Sequence, residues 1–352
     1  MKILILLIFT LKAITLNAQS QETYNKAKLE DNQFYNSNTE PDFSFWDVLS
    51  IRTSSKWSKW PEWVSTKQLK STPSRVEGSK LNVTFINHAT FLIQTENLNI
   101  LTDPIFSDRC SPVSFAGPAR VHAPGIEMSK LPKIDVVIIS HDHYDHLDID
   151  TLEFLIERDN PKIYVGRRVG ARIEDRKNVV ELDWWESHKY NDDLTVNFVE
   201  VQHFSGRGVA DRYATLWGGY VLELGDRKIF FGGDTGYADH FKKISNKYGP
   251  MDLSFIPIGA YAPRYFMKFY HMNPEESVKA HKDLKSSLSI GMHYGTFQLT
   301  QEKIDEPVKQ LEVHKKKQGI ADKAFITLDV GVIYEFNWDK KDYNLSGFRE
   351  SH

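Results

Sequence analysis

The sequence predicts an α/β protein in which helices cover the sheets, and three observations predict it. Short apolar runs bounded by turn residues begin at Leu81, later runs alternate with helix-like segments, and 41% of the 352 residues are apolar. That pattern and content suit a chain with a substantial core.

Met1-Lys2 and the apolar stretch Ile3 to Phe9, with Ala18 as a cleavage point, read as a signal peptide over residues 1–18. Export to the periplasm or cell envelope is therefore expected. Thr10 and Lys12 interrupt the stretch, which falls short of the ~20 residues that span a bilayer. Leu16 is larger than the small residue preferred three places before the cut, so an uncleaved anchor stays open.

Residues 19–80 are polar with weak periodicity, yet carry Trp46, Trp57, Trp60 and Trp63 around Pro61. They read as an arm wrapped on a larger body. One domain is expected over residues 81–337, with a tail over 338–352.

Strands are predicted at Val83–Ile86, Phe91–Gln94, Ile100–Thr102, Val136–Ile139 and Ile163–Val165. More follow at Val196–Val201, Tyr220–Leu224, Ile229–Phe231, Leu253–Ile256, Leu288–Met292 and Ala324–Asp329. Helices are predicted at Asp150–Arg158, Pro274–Leu284 and Glu306–Lys317.

A net charge of -3 offers no long-range pull on a polyanion, so nucleic acid is not an expected partner. The single cysteine, Cys110, excludes an intrachain disulfide and reads as a small buried hydrophobe rather than a ligand or nucleophile.

The strongest local signal is Ser140-His141-Asp142-His143-Tyr144-Asp145-His146, directly after an apolar strand. Strand ends are where α/β proteins place ligands. Residues two apart on an extended segment share a side, so His141 and His143 can face one ion, and a turn brings Asp145 and His146 to a neighbouring point. Four such donors exceed the needs of one tetrahedral zinc, which implies two.

Three later strands run into further donors: His203 after Phe198–Gln202, Asp234 after Ile229–Gly233, and His293 after Leu288–Met292. Taken singly, His203 and His293 would pass as ordinary half-buried histidines and Asp234 as a turn residue. Their shared strand-end position joins them. Gly232 and Gly233 suit a crowded centre, since a missing Cβ lets backbone approach.

The donor count assigns His141, His143 and His203 to one zinc, Asp145, His146 and His293 to the other, and Asp234 as the bridge. A hydroxide between two such ions is an expected nucleophile, so no serine or cysteine is required. Asp103 either orients one of the histidines or simply starts a turn before Pro104.

The run His141 to His146, followed by His203, Asp234 and His293, resembles the metallo-β-lactamase superfamily of hydrolases. That resemblance implies an αββα four-layer sandwich with a dinuclear site along one edge. Longer segments resemble one branch, the phospholipases D that hydrolyse N-acylphosphatidylethanolamine: Thr102 to Ser107, Glu181 to Glu186, Gly233 to Tyr237, Ile258 to Tyr261, Pro263 to Lys268 and His293 to Phe297. The likeness extends over about residues 42 to 337.

The branch implies cleavage of a lipid phosphodiester on the head-group side, giving phosphatidic acid and an N-acylethanolamine. It carries over all seven donors and implies a homodimer. His271 matches a histidine of the branch that is not a ligand and is expected to stabilise the phosphoryl transition state or assist the leaving oxygen. With His271, Asp145 is counted as catalytic as well as metal-binding.

Three positions depart from the branch. Tyr270 stands for a Gln of animal relatives, the segment after His203 differs, and Asn87 takes a Gly position beside His88. Asn tolerates a left-handed backbone, so this last change is mild.

A phospholipid or a small ester is the expected substrate, with a lactonase as the alternative to the phosphodiesterase. The Trp residues of the arm, with Phe266, Met267 and Phe269, either approach a membrane interface or pack the arm onto the body.

Overall fold

Two sheets face each other across a shared apolar layer. The computed structural model describes residues 23–38, 41, 45–208, 210–338 and 342–344. The expected signal peptide and most of the expected tail lie outside the described residues.

The larger sheet has eight strands, in spatial order Asp342–Asn344, Ile333–Asn337, Lys80–Asn87, Thr90–Thr95, Leu98–Thr102, Val136–Ile138, Lys162–Gly166 and Val179–Leu182. The other has seven, in order Phe325–Ile326, Leu288–Met292, Leu253–Pro257, Arg227–Phe231, Gly219–Leu224, Leu194–Val199 and Ser187–Lys189.

Each sheet has a parallel portion. It comprises Leu98–Thr102 through Val179–Leu182 in one and Arg227–Phe231 through Phe325–Ile326 in the other. The carboxyl ends of strands in both portions carry donor residues.

Alternation along the strands sorts side chains into layers. Val136 and Ile138 join Phe91, Ile93, Phe198, Tyr220 and Phe255 between the sheets. Val137 and Ile139 point the other way, onto Leu152 and Leu155 of helix Ile149–Asp159. Val199, Val221, Phe230 and Ile256 meet helices His240–Tyr248, Pro274–Asp283 and Glu306–Gln318 through Phe241, Val278 and Leu311. The result is a four-layer αββα sandwich. Truncating a fully buried ring such as Phe91 would cost about 3–5 kcal/mol.

The helix Pro274–Asp283 shows how local sequence sets an element. Asn273 caps Glu276 N, the Glu276 side chain returns to Asn273 N, and Pro274 starts the first turn.

Several sequence expectations change. The strand predicted at Ala324–Asp329 shrinks to Phe325–Ile326, its start set by the 3-10 turn of residues 322–324. The main sheet continues past residue 337, since Asp342–Asn344 pairs with Ile333–Asn337. The helix His240–Tyr248 and the strands Val179–Leu182, Ser187–Lys189 and Ile333–Asn337 were not anticipated.

The arm holds a hairpin, Lys28–Glu30 with Gln33–Tyr35, and a helix, Phe45–Arg52. Phe34 is fully buried, with the Arg167 and Arg168 guanidinium groups 5.4 and 5.3 Å from its ring centre. Trp60 Nε1 donates to Glu302 O at 2.9 Å, whereas Trp46 and Trp63 are 71% and 59% exposed. Among the described residues no helix is long and apolar enough to cross a membrane.

Candidate metal centre

Strand Val136–Ile138 ends beside Leu98–Thr102, which places Ser140 against Asp103. Asp103 has left-handed backbone, φ 32°. Its carboxylate accepts from Ser140 N at 2.7 Å, from Ser140 Oγ at 2.6 Å and from His146 Nδ1 at 2.6 Å. The Nδ1 proton of His146 is thereby fixed and Nε2 faces the site. A turn made by His146 N and Leu147 N, both donating to His143 O, brings Asp145 and His146 round.

Gly233 sits at φ 55°, and a Cβ there would lie 2.4 Å from Ser140 Cβ. Glycine at this position lets the Asp234 turn reach the Ser140 loop.

All seven donors singled out in the sequence come together. His141, His143, His203 and Asp234 form one set, with His141 Nε2 to His143 Nδ1 at 2.8 Å and His203 Nε2 to His143 Nδ1 at 3.4 Å. Asp145, His146 and His293 form the other, with both Nε2 atoms 3.3 Å from Asp145 Oδ2.

Asp234 reaches both sets. Its Oδ2 lies 3.2 Å from His146 Nε2, 3.7 Å from His203 Nε2 and 3.8 Å from His141 Nε2, while Oδ1 lies 3.0 Å from His293 Nε2.

These separations fit cations. Two donors on one tetrahedral zinc, each bonded at ~2.0–2.1 Å, are about 3.3 Å apart. His146 Nε2 and Asp234 Oδ1 are fully buried without a hydrogen-bond partner, which an ion between them would remedy.

The electrostatics agree. Burial would raise Asp145 and Asp234, but the histidines around each, His146 foremost, together outweigh it and hold both well below the usual carboxylate range. Burial lowers His141 and His203 well below the ordinary histidine value, so both present lone pairs. His203 Nδ1 pairs with Tyr270 O at 2.9 Å, and Ser140 Oγ lies 2.9 Å from His141 Nδ1, which leaves both Nε2 atoms for the centre.

His271 stands beside the donors, grouped with Asp234 and His293 but in neither of the two sets above. Its Nδ1 is 3.9 Å from Asp234 Oδ2 and has no hydrogen-bond partner, and burial pushes its pKa down to about 4. Arg264 fixes it by donating from Nη1 to His271 O at 2.8 Å and pairing through Nη2 with Glu276 at 2.7 Å. Cys110 belongs to neither set; it is buried against Ile105 and Phe297, and burial pushes its thiol pKa up.

His88, not among the donors singled out in the sequence, lies with Asp145, His146 and His293. His88, not Asn87, carries the left-handed backbone of this turn, at φ 45°. A lone histidine between two strands gives little signal, since the pairing of Lys80–Asn87 with Thr90–Thr95 is what buries it.

Residues 98–294 match the β-lactamase superfamily domain. The chain belongs to the metallo-β-lactamase superfamily.

Within this superfamily of metallo-hydrolases it is 40% identical over 272 residues to N-acyl-phosphatidylethanolamine-hydrolyzing phospholipase D 1 of Caenorhabditis elegans, covering 73% of this chain and 76% of that one. It is 34% identical over 259 residues to the mitochondrial N-acyl-phosphatidylethanolamine-hydrolyzing phospholipase D of Saccharomyces cerevisiae, covering 71% of this chain and 55% of that one. Among solved structures, a metallo hydrolase from the archaeon Ignicoccus hospitalis aligns with TM-score 0.55 at 21% identity, over 73% of this chain and 98% of that chain. That likeness concerns the metallo-β-lactamase fold alone.

Proposed function

We propose that this metallo-hydrolase is a phosphodiesterase of the phospholipase D type. It cleaves N-acylphosphatidylethanolamine or a related lipid on the head-group side, with two zinc ions held by His141, His143, His203, Asp145, His146, His293 and the shared Asp234. The observation that carries the reading is that sharing: one carboxylate, Asp234, faces both donor sets in a chain 40% identical to an enzyme named for this hydrolysis.

Two cations bound there would acidify a water and lend Lewis acidity to a phosphoryl oxygen. The chain's own groups do the rest. Asp103 and Ser140 fix the tautomers of His146 and His141, and Tyr270 O fixes that of His203. His271, neutral at pH 7, offers its unpartnered Nδ1 to the phosphoryl or leaving oxygen.

A cleft of about 670 Å³ beside His203, lined by Tyr213, Trp217 and Phe269, supports a substrate larger than a simple ester. The exposed Trp46, Trp63 and Tyr265 support contact with a lipid surface, and the opening eighteen residues support placement at the cell envelope.

The test is turnover by the purified zinc-loaded protein of N-acylphosphatidylethanolamine in mixed micelles beside an acyl lactone. Release of N-acylethanolamine is expected. Hydrolysis of the lactone alone would replace this reading by that of a lactonase or small-ester hydrolase.

A further inference from the structure

His88 occupies a costly conformation next to the centre, and its surroundings explain why it is held there. It sits in the turn between Lys80–Asn87 and Thr90–Thr95 with left-handed backbone at φ 45°, which is strained for a residue with a Cβ. Its N–H donates to Thr296 Oγ1 at 2.8 Å, and its carbonyl accepts from His293 N at 2.9 Å. Thr296 Oγ1 is in turn 3.0 Å from His122 Nε2. The turn is therefore tied to the loop that follows strand Leu288–Met292 in the opposite sheet.

The side chain is equally constrained. The ring packs against His293 at 4.0 Å between centres and against Phe297 at 5.4 Å. Its Nε2 lies 2.9 Å from Asp145 Oδ2, while its buried Nδ1 has no partner. A neutral imidazole has one N–H, and only Nε2 has an acceptor within reach.

The 2.9 Å separation is also informative. It is the ordinary length of an N–H···O hydrogen bond, and the oxygen it reaches is the one that stands 3.3 Å from both His146 Nε2 and His293 Nε2.

We propose that His88 is a positioning residue: its Nε2–H donates to Asp145 Oδ2 and aims that carboxylate at His146 and His293, so that His88 sets the cation affinity of this half of the centre. The inference rests on the two-metal reading of the site. Partners of this kind that orient a ligand are worth about 10–100-fold in metal affinity.

The test is zinc titration with a competing chelator on the full chain, for wild type, His88→Ala and His88→Gln, with the far-ultraviolet spectrum of each metal-free variant as a check of folding. Gln carries an amide N–H near the position of Nε2. His88→Ala should weaken one of two zinc equivalents by about 10–100-fold and leave the other unchanged, and His88→Gln should recover most of the loss.

Full loss of one equivalent in both variants would make His88 a ligand and overturn the proposal. Wild-type affinity in His88→Ala, or equal weakening of both sites in both variants, would reduce it to packing. Fewer than two equivalents in the wild type would overturn the two-metal reading and this inference with it. Should His88→Ala fail to fold, Thr296→Val tests the same clamp by removing the acceptor of His88 N, and the same selective weakening is expected.

Discussion

Asp103 and His146 are joined by a 2.6 Å contact between Oδ2 and Nδ1, both side chains being wholly buried. Burial pushes Asp103 up, while His146 draws it back, so the pair shares charge in a site where neither group meets water. Asp103→Asn keeps the volume and removes that charge. Cation retention should fall by about 10–100-fold, read by chelator competition, and unchanged retention would show that Asp103 merely starts a turn.

His271→Ala should lower kcat by about 10²–10⁴-fold with two metal equivalents retained. Parallel metal analysis and steady-state kinetics check this, and loss of metal would assign the residue to the ligands.

Asp142 lies between two donors in the metal-binding run but turns away from them. It accepts from Gly206 N at 2.7 Å and from Arg172 Nε at 3.2 Å, pinning the loop that follows His203. Asp142→Ala strands these donors and should cost about 1–3 kcal/mol in denaturant unfolding. An unaltered midpoint would show that the loop is held elsewhere.

Gly233→Ala should be more damaging than its size suggests, because the new Cβ would meet Ser140 Cβ at 2.4 Å with φ at 55°. The expected cost is about 1–3 kcal/mol or more. Calorimetry should show a lowered Tm, and weaker metal retention should accompany it through displacement of Ser140 from Asp103.

His281 gives a pH signature remote from the centre. Burial pushes its pKa down to about 4 from 6.5, and Nδ1 lies 2.8 Å from Ser289 Oγ. Between these values the unfolded chain binds the extra proton, so the contribution of His281 is full above pH 6.5 and is lost as the pH falls toward 4. Its size is about 3 kcal/mol. Unfolding curves of wild type and His281→Gln should converge as the pH falls through this window, and parallel curves would refute the assignment.

Strand ends with His or Asp were legible in the sequence because each followed a short run rich in apolar residues: Val136–Ile139 before His141, Ile229–Phe231 before Asp234, Leu288–Met292 before His293. That helices cover the sheets was legible in the alternation of such runs with helix-like segments, whereas the four layers followed only from the family resemblance. Helix His240–Tyr248 was not, since Lys242, Lys243, Asn246 and Lys247 dilute a face carried by Phe241, Ile244 and Tyr248. Strand Ser187–Lys189 is three polar or basic residues at a sheet edge, given its place by pairing with Leu194–Val199 alone. His88 escaped for a related reason: its contacts with Asp145 and Thr296 span 57 and 208 residues, and no local pattern carries such distances.

The donors divide by origin. His141, His143, Asp145 and His146 follow a strand of the eight-stranded sheet, while His203, Asp234 and His293 follow strands of the seven-stranded one. Any ion gripped by both groups would rivet the two halves of the molecule along one rim, so that prying them apart first requires surrendering the metal. Resistance to unfolding would then rise with free cation concentration, by a few kcal/mol at a hundred- to thousand-fold excess over Kd, and the catalytic apparatus would double as the fastener of its own scaffold.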